Sequence, residues 1–184
     1  SVALAGSGGS GIMTAGTMLL DAAARAGYHG LMVRSSGPQI RGGEAAALLR
    51  IATHPVDALD DAFDLLVAMD WGNVARFADE IPLAAGSVVV GDRDEGEPPP
   101  VFLAGGARPS PIALKKMAKA LGSWINMLAL GITGALAGLP VTALEDAVRK
   151  GWSRDAAALE ANLKAVRDGV AAARGHAPQP RAAG

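Results

Sequence analysis

The chain has no cysteine. That absence excludes disulfides, thiolate-held iron–sulfur clusters, cysteine zinc sites and thiol nucleophiles within these residues. Any redox metal that works with this protein must therefore be held by another chain or domain. Histidine is scarce: His29, His54 and His176 lie far apart and make no HExxH-like spacing, so each reads as a surface or strand-end residue. No charge of one sign prevails. The 17 basic and 18 acidic side chains leave a formal net charge of −1, so no whole-chain field draws in nucleic acid or an anionic membrane. No stretch reaches the ~18–20 uninterrupted apolar residues that a bilayer crossing needs. The start of the chain also lacks the charged region of a signal peptide. A cytoplasmic protein is the expectation, contacting neither membrane nor nucleic acid. Catalytic signatures are missing as well: there is no Gly-x-Ser-x-Gly elbow, no Walker lysine and no paired histidine and carboxylate. Gly91-Asp92 lacks the following glycine and downstream asparagine of a thiamine diphosphate motif, so Asp92 reads as a strand-end turn residue.

What is present is an alternation of strands and helices. A length of 184 residues suits one domain plus a tail. Val2 to Ala5 is a short apolar run stopped by glycine, as in a buried parallel strand. Gly6 to Gly11 is the turn after it, and Ile12 to Ala26 carries apolar residues at helical intervals, ending at Gly27. Further strands are expected at Leu31–Arg34, Ala45–Ile51, Phe63–Met69, Ser87–Asp92 and Val101–Ala104. A short helix is expected from Trp71 to Ala78, with Asp70 or Asn73 near its start. Ile112 to Leu121 reads as a basic amphipathic helix and Trp124 to Ala137 as an apolar one. On the latter, Gly131, Gly134 and Gly138 form a small-residue surface for close helix contact, either within the domain or with a partner. Thr142-Ala-Leu-Glu145 has the form of a capping box opening a helix from Ala143 to Gly151, and Arg154 to Arg174 is the last helix. Residues 175–184, GHAPQPRAAG, have no apolar period and two prolines, so the domain is expected over 1–174 and a linker or flexible tail over 175–184. The fold class that follows is α/β: a Rossmann-like, doubly wound, mostly parallel sheet with a helical C-terminal third.

Two loops carry the chemistry. Gly6-x-Gly8-x-x-Gly11 has the spacing that turns a chain tightly after a strand, admits a phosphate near the backbone and packs the next helix on the sheet. The helix start would then offer backbone N–H groups to an anion; the alternative is a purely structural turn. Where a classical NAD site needs an acid at the end of the second strand, this chain has Arg34, Ser35 and Ser36. These suit a phosphorylated ribose, as in NADP or coenzyme A, better than NAD, unless Arg34 merely pairs with a surface carboxylate and Ser36 merely precedes a turn. In the second loop, Arg41 between flexible residues and before Gly42 and Gly43 is a fair phosphate or carboxylate contact. Equally, the glycines let the chain bend into the next strand and Arg41 pairs with Glu44 or another chain.

Taken in order, GSGGSGIMTAGTMLLDAAARAGYHG, SSGPQIRGGEAAALLRI, FDLLVAMD, INMLALGITGALAGLP and NLKAVRDG resemble the gamma domain of 2-oxoacid:ferredoxin (acceptor) oxidoreductases, over nearly the whole chain to about Gly169. The wording RSSGPQIRGGEAAALLR is most similar to versions fused ahead of an alpha subunit, many of the 2-oxoglutarate type; a free gamma subunit is the competing form. The resemblance implies a component of a CoA-acylating oxidative decarboxylase, with no complete active site in this chain and no catalytic residue or metal ligand of its own. It implies contact with coenzyme A through Ser7, Gly8, Gly9, Ser10 and Gly11, through Arg34, Ser35, Ser36, Arg41, Gly42 and Gly43, and through Asn126. For Asn126, simple capping at a helix start is the plain alternative. Thiamine diphosphate, Mg and [4Fe-4S] clusters are implied on partner chains or domains, the partners being the alpha and beta thiamine-binding subunits, with ferredoxin or a similar acceptor reached through the complex. Two other readings stand beside this one: a stand-alone NADP-binding Rossmann protein, and a structural assembly domain whose loops contact subunits rather than a cofactor.

Overall fold

The computed structural model of the chain describes residues 1–38, 43–152 and 155–178. Six strands, β1 (Val2–Ser7), β2 (His29–Ser36), β3 (Glu44–Ala52), β4 (Phe63–Ala68), β5 (Leu83–Val90) and β6 (Arg108–Pro109), form one sheet. Its order is β2-β3-β1-β4-β5-β6. The five helices are α1 (Ile12–Arg25), α2 (Leu114–Leu121), α3 (Ile125–Leu136), α4 (Val141–Gly151) and α5 (Ala156–Ala172).

The pairings β1·β4, β4·β5 and β5·β6 are parallel, whereas β3 runs antiparallel to both β1 and β2. β1, α1 and β2 therefore make a crossover unit whose two parallel strands are held apart by one position. β3 fills the gap. The connection from Ser36 to Glu44 is far too short for a parallel crossover, which takes a dozen residues or more, so β2 and β3 must form a hairpin. The hairpin loop consequently stands at the same end of the sheet as the glycine turn after β1.

Because the central strands are covered on both sides, they read as unbroken apolar runs, and alternation divides their side chains between two cores. Val2, Leu4, Ala47, Leu49, Leu65, Val67, Val88 and Val90 pack under all five α-helices. Ala3, Ala5, Ala46, Leu48, Leu66, Ala68 and Val89 face a thinner layer of 3-10 turns and loops that contributes Trp71, Phe77, Ile81 and Phe102. The rings of Trp71 and Phe102 lie 6.3 Å apart and tilted by 32°.

Several local expectations change. Val101–Ala104 is not a strand: a 3-10 turn spans Pro100–Phe102, because consecutive prolines withhold the N–H groups a ladder needs, and the short strand comes later as β6. The segment Trp71–Ala78 contracts to a 3-10 turn at Val74–Phe77, and Asn73 makes no side-chain cap there. The capping box does not form, since α4 already begins at Val141 behind Pro140 with no side-chain cap. Glu145 instead accepts from Arg149 of its own helix at 2.9 Å and from Arg167 of α5 at 2.5 Å. Gly131 and Gly134 do serve close packing inside the domain. A Cβ on Gly131 would overlap the Val166 carbonyl of α5, and one on Gly134 the Leu144 side chain of α4. Gly138 plays another part: at φ +77° it stops α3, with open space around it.

After α5 the chain returns to the far edge of the sheet. The Arg108 guanidinium donates to the Ala177 carbonyl at 3.1 Å, and His176 Nδ1 hydrogen-bonds the Ser110 hydroxyl. No helix of the described residues is long and apolar enough to cross a membrane.

Candidate functional site

Connections from β1 lead to one side of the sheet and those from β4 to the other, so the carboxyl ends of these two neighbours form the switch point at which open α/β sheets bind ligands. The glycine turn leaves β1 at this place. The Asp70 carboxylate, just past β4, accepts from Ser7 N at 2.9 Å and from Ser7 Oγ at 2.8 Å, tying the two strand ends together. Ser10 folds back, its hydroxyl donating to the Ser7 carbonyl at 2.5 Å. Gly11 occupies the N-cap of α1 in the left-handed region, φ 81° and ψ 24°, with no side-chain cap. A residue bearing Cβ is disfavoured there on conformation and would also collide with the Asn126 side chain.

The β2–β3 hairpin brings the second loop against this turn. Gly8 N donates to the Gly43 carbonyl, and a Cβ on Gly8 would overlap that oxygen. Arg41 and Gly42 lie outside the described residues. Glu44, opposite Ser7 in the ladder, is buried and takes Arg76 as its ion-pair partner at 2.8 Å. It packs under Gly37, where a Cβ would run into its carboxylate.

The register places Arg34 across from Ala47 and Ser36 across from Ala45, on the face of the sheet that carries α1. Ser35, across from Ala46, points to the other face, so alternation separates it from its two neighbours. Arg34 is exposed and has no ion-pair or hydrogen-bond partner among the described residues.

Asn126 comes in from α3, on the opposite flank of the glycine turn. Its Nδ2 donates to the Gly11 carbonyl over a long 3.4 Å, while Oδ1 is buried with no partner among the described residues. The orientation is required chemically, since turning the amide would oppose two acceptors. α3, like α1, begins without a side-chain cap and without an acidic residue in its first turn. Two positive helix ends therefore converge on the turn. Gly9 projects into open space beside them.

Several residues at this end of the sheet were not expected at a site from sequence, Asp70 having been read only as lying near a helix start. Asp70, Gly72 and Lys115 line a cleft of about 520 Å³ at the switch point together with Ser7 and Ser10. Lys115 pairs with Glu95; that hydrogen bond holds the Glu95 carboxyl below its usual range and raises the Lys115 ammonium above its own. Asp92, read as a turn residue, is a buried strap: its carboxylate accepts from Asp94 N at 2.8 Å and Lys115 N at 2.5 Å. The signal available for Asp70 was its place directly after an apolar strand run, although nothing local says which backbone its carboxylate will meet. No cluster of three or more potential metal-ligating side chains exists among the described residues.

The fold and site define an α/β domain of Rossmann type, altered by one inserted antiparallel strand, with a glycine turn that presents an uncapped helix at the switch point. Residues 1–172 match the pyruvate ferredoxin/flavodoxin oxidoreductase family, and the chain belongs to that family. It is 27% identical over 178 residues to the ketoisovalerate oxidoreductase subunit VorA of Methanothermobacter thermautotrophicus, covering 94% of this chain and 36% of that protein. The 2-oxoglutarate:ferredoxin oxidoreductase of Magnetococcus marinus, solved with 2-oxoglutarate, coenzyme A and succinyl-CoA bound, is similar in structure, with TM-score 0.84 and 28% identity over 99% of this chain and 32% of that one. The gamma subunit of a keto/oxoacid ferredoxin oxidoreductase from Geobacter sulfurreducens matches with TM-score 0.73 and 27% identity, covering 94% of this chain and 96% of the subunit. The chain thus spans about a third of the length of VorA and of the Magnetococcus protein, and nearly all of the Geobacter subunit.

Proposed function

We propose that this chain is the gamma portion of a 2-oxoacid:ferredoxin oxidoreductase, that it contributes contacts to coenzyme A and to neighbouring subunits, and that 2-oxoglutarate is the 2-oxoacid. The observation that carries the CoA contact is the convergence of two uncapped helix starts, α1 and α3, on the glycine turn, with Arg34, which has no side-chain partner among the described residues, on the same face of the sheet as α1. Backbone N–H groups at helix starts favour an anion, and a guanidinium adds a charge-assisted fork for phosphate. Coenzyme A, with its diphosphate and 3′-phosphate, fits this donor set. Ser7 to Gly11, Arg34, Ser36, Gly43 and Asn126 are the described residues that would hold it, with Arg41 and Gly42 in the adjoining loop; Ser35, on the other face, fits least well.

Thiamine diphosphate with its Mg and the [4Fe-4S] clusters belong in this reading to alpha and beta partner chains or domains, since a chain without cysteine offers no thiolate ligand. Thiamine supplies the decarboxylation chemistry; this domain binds and orients the acyl acceptor. The domain boundary is placed at 1–174, with 175–184 as a linker or tail whose first residues, His176 and Ala177, still touch the sheet edge, and the assembly works in the cytoplasm. The similarity to the Magnetococcus protein at TM-score 0.84 supports 2-oxoglutarate over other 2-oxoacids.

Coenzyme A titration of the assembled oxidoreductase by calorimetry tests the reading. The double variant Arg34→Ala/Arg41→Ala should bind CoA at least tenfold more weakly, while substrate-driven cluster reduction continues. Unchanged affinity would leave an assembly domain instead, and a wild-type preference for NADP over CoA would favour the stand-alone nucleotide-binding alternative.

A further inference from the structure

The two edges of the sheet are built differently. β6, at one edge, is two residues long and contains Pro109. It is also covered by the chain after α5, with Arg108 bonded to Ala177 and Ser110 to His176. β2, at the other edge, has eight residues, no proline and an unbroken register with β3. Shortness, proline, bulges and covering segments keep sheet edges from pairing with other chains. Among the described residues β2 has none of these. Its open groups follow from the ladder. Gly37 N donates to the Glu44 carbonyl at 3.0 Å, which makes this a hydrogen-bonded pair, and such pairs recur at every second residue of an antiparallel ladder. His29, Leu31, Val33 and Ser35 therefore bond to β3, while Gly30, Met32, Arg34 and Ser36 turn their N–H and C=O groups outward. Between Gly30 and Arg34 lies an apolar trio, Leu31, Met32 and Val33, of which Val33 is 41% exposed.

We propose that β2 pairs antiparallel with β2 of a second copy about a two-fold axis at Met32, joining two six-stranded sheets into one. In this register Met32 meets its twin, Leu31 meets the partner's Val33, and Arg34 meets the partner's Gly30. The strand's own sequence selects a second copy as the occupant. The trio is symmetric about Met32, so antiparallel pairing sets apolar residues against apolar ones on both faces, as cross-strand stabilisation requires. Each arginine falls opposite a glycine, at the two ends of the pairing, so no like charges stand opposite one another. The outward groups of Gly30, Met32 and Arg34 supply about six main-chain hydrogen bonds, and the contact is closed and self-complementary. Pairing engages only the main chain of Arg34 and leaves its guanidinium free, so the inference stands independently of the CoA reading.

These residues contain no cysteine, so introduced thiols report the pairing. The test oxidises the assembled protein carrying Leu31→Cys/Val33→Cys and runs it on a denaturing gel without reductant. Facing residues of a non-hydrogen-bonded pair stand about 4.5 Å apart at Cα, within disulfide reach. The double variant should give a band at twice the mass of its chain, with residue 31 joined to residue 33 by mass spectrometry, and neither single variant should give it. Hydrogen exchange is the second measurement. The amides of Met32 and Arg34, which have no partner within the chain, should be protected in wild type. Val33→Lys, which sets an ammonium against the partner's Leu31, should speed them at least tenfold and leave Leu31 and Ser35 unchanged. If both sets accelerate, the strand itself has loosened and the cross-link decides alone. Protected outward amides without a cross-link would overturn the proposal in favour of a strand from a different chain. Fast exchange in wild type would show an open edge and sink it, and a cross-link in Val33→Cys alone would overturn the register.

Discussion

At the scale of single residues, the turn after β1 is held by contacts that leave no room for change. Gly8 approaches the Gly43 carbonyl so closely that a methyl group cannot be accommodated without moving one of the two loops. Gly8→Ala should destabilise the chain by about 1–3 kcal/mol, the usual cost of overpacking, and urea titration would measure it; an unaltered midpoint would mean that the loops part freely. Asp70 satisfies both the amide and the hydroxyl of Ser7. Asp70→Ala strips a partly buried donor pair of its acceptor, so a loss of about 1–3 kcal/mol is expected in the same assay. These two residues differ in legibility. The glycine spacing announces a tight turn, whereas the bond from Asp70 to Ser7 joins positions 63 apart and exists only because β1 and β4 are neighbours.

At the scale of elements, α3 and α5 touch through their backbones. Gly131 faces the Val166 carbonyl and Gly169 faces the Leu128 carbonyl, so each helix removes a side chain where the other crosses. Gly131→Ala must push the helices apart and should cost more than Gly138→Ala. The latter meets open space and pays only for its left-handed conformation, about 1 kcal/mol. Thermal melts of the two variants that reversed this order would refute the packing. α4 is tied to α5 by Glu145, whose carboxyl the Arg167 guanidinium, aided by Arg149, holds below its usual range. Because the folded-state value lies below the unfolded one, near ~4.3, the folded chain binds fewer protons. The stabilisation is therefore complete above that pH and fades as pH falls through the folded value. Melting temperature should drop more steeply below pH 4.5 in the wild type than in Glu145→Gln; parallel profiles would show that the cluster contributes nothing to acid sensitivity.

At the scale of the whole molecule, the sheet is covered unevenly. One face carries five helices, and the other depends on a few large side chains, with Phe102 buried against Trp71. Phe102→Ala should cost about 3–5 kcal/mol, enough to unfold much of a marginally stable population, and a red shift of Trp71 fluorescence would accompany it. Retained stability would show that the thin layer repacks around the cavity.

The sequence by itself determined the αβ alternation, the apolar central strands, the glycine turn and the lack of any thiolate ligand in these residues. Each of these follows from local composition or from a period of 2 or 3.6 residues. Only the tertiary structure decided that β3 runs antiparallel between β1 and β2, because strand direction follows from which neighbours pair. That one insertion sets Gly43 against Gly8, divides Ser35 from Arg34 and Ser36, and places the second loop beside the first. Asn126 was legible as a polar residue opening an apolar helix, but the bond from its amide nitrogen to the Gly11 carbonyl, 115 residues away, was not. The same holds for the convergence of α1 and α3 on the glycine turn, which exists because two helices distant in sequence begin at one point above the sheet.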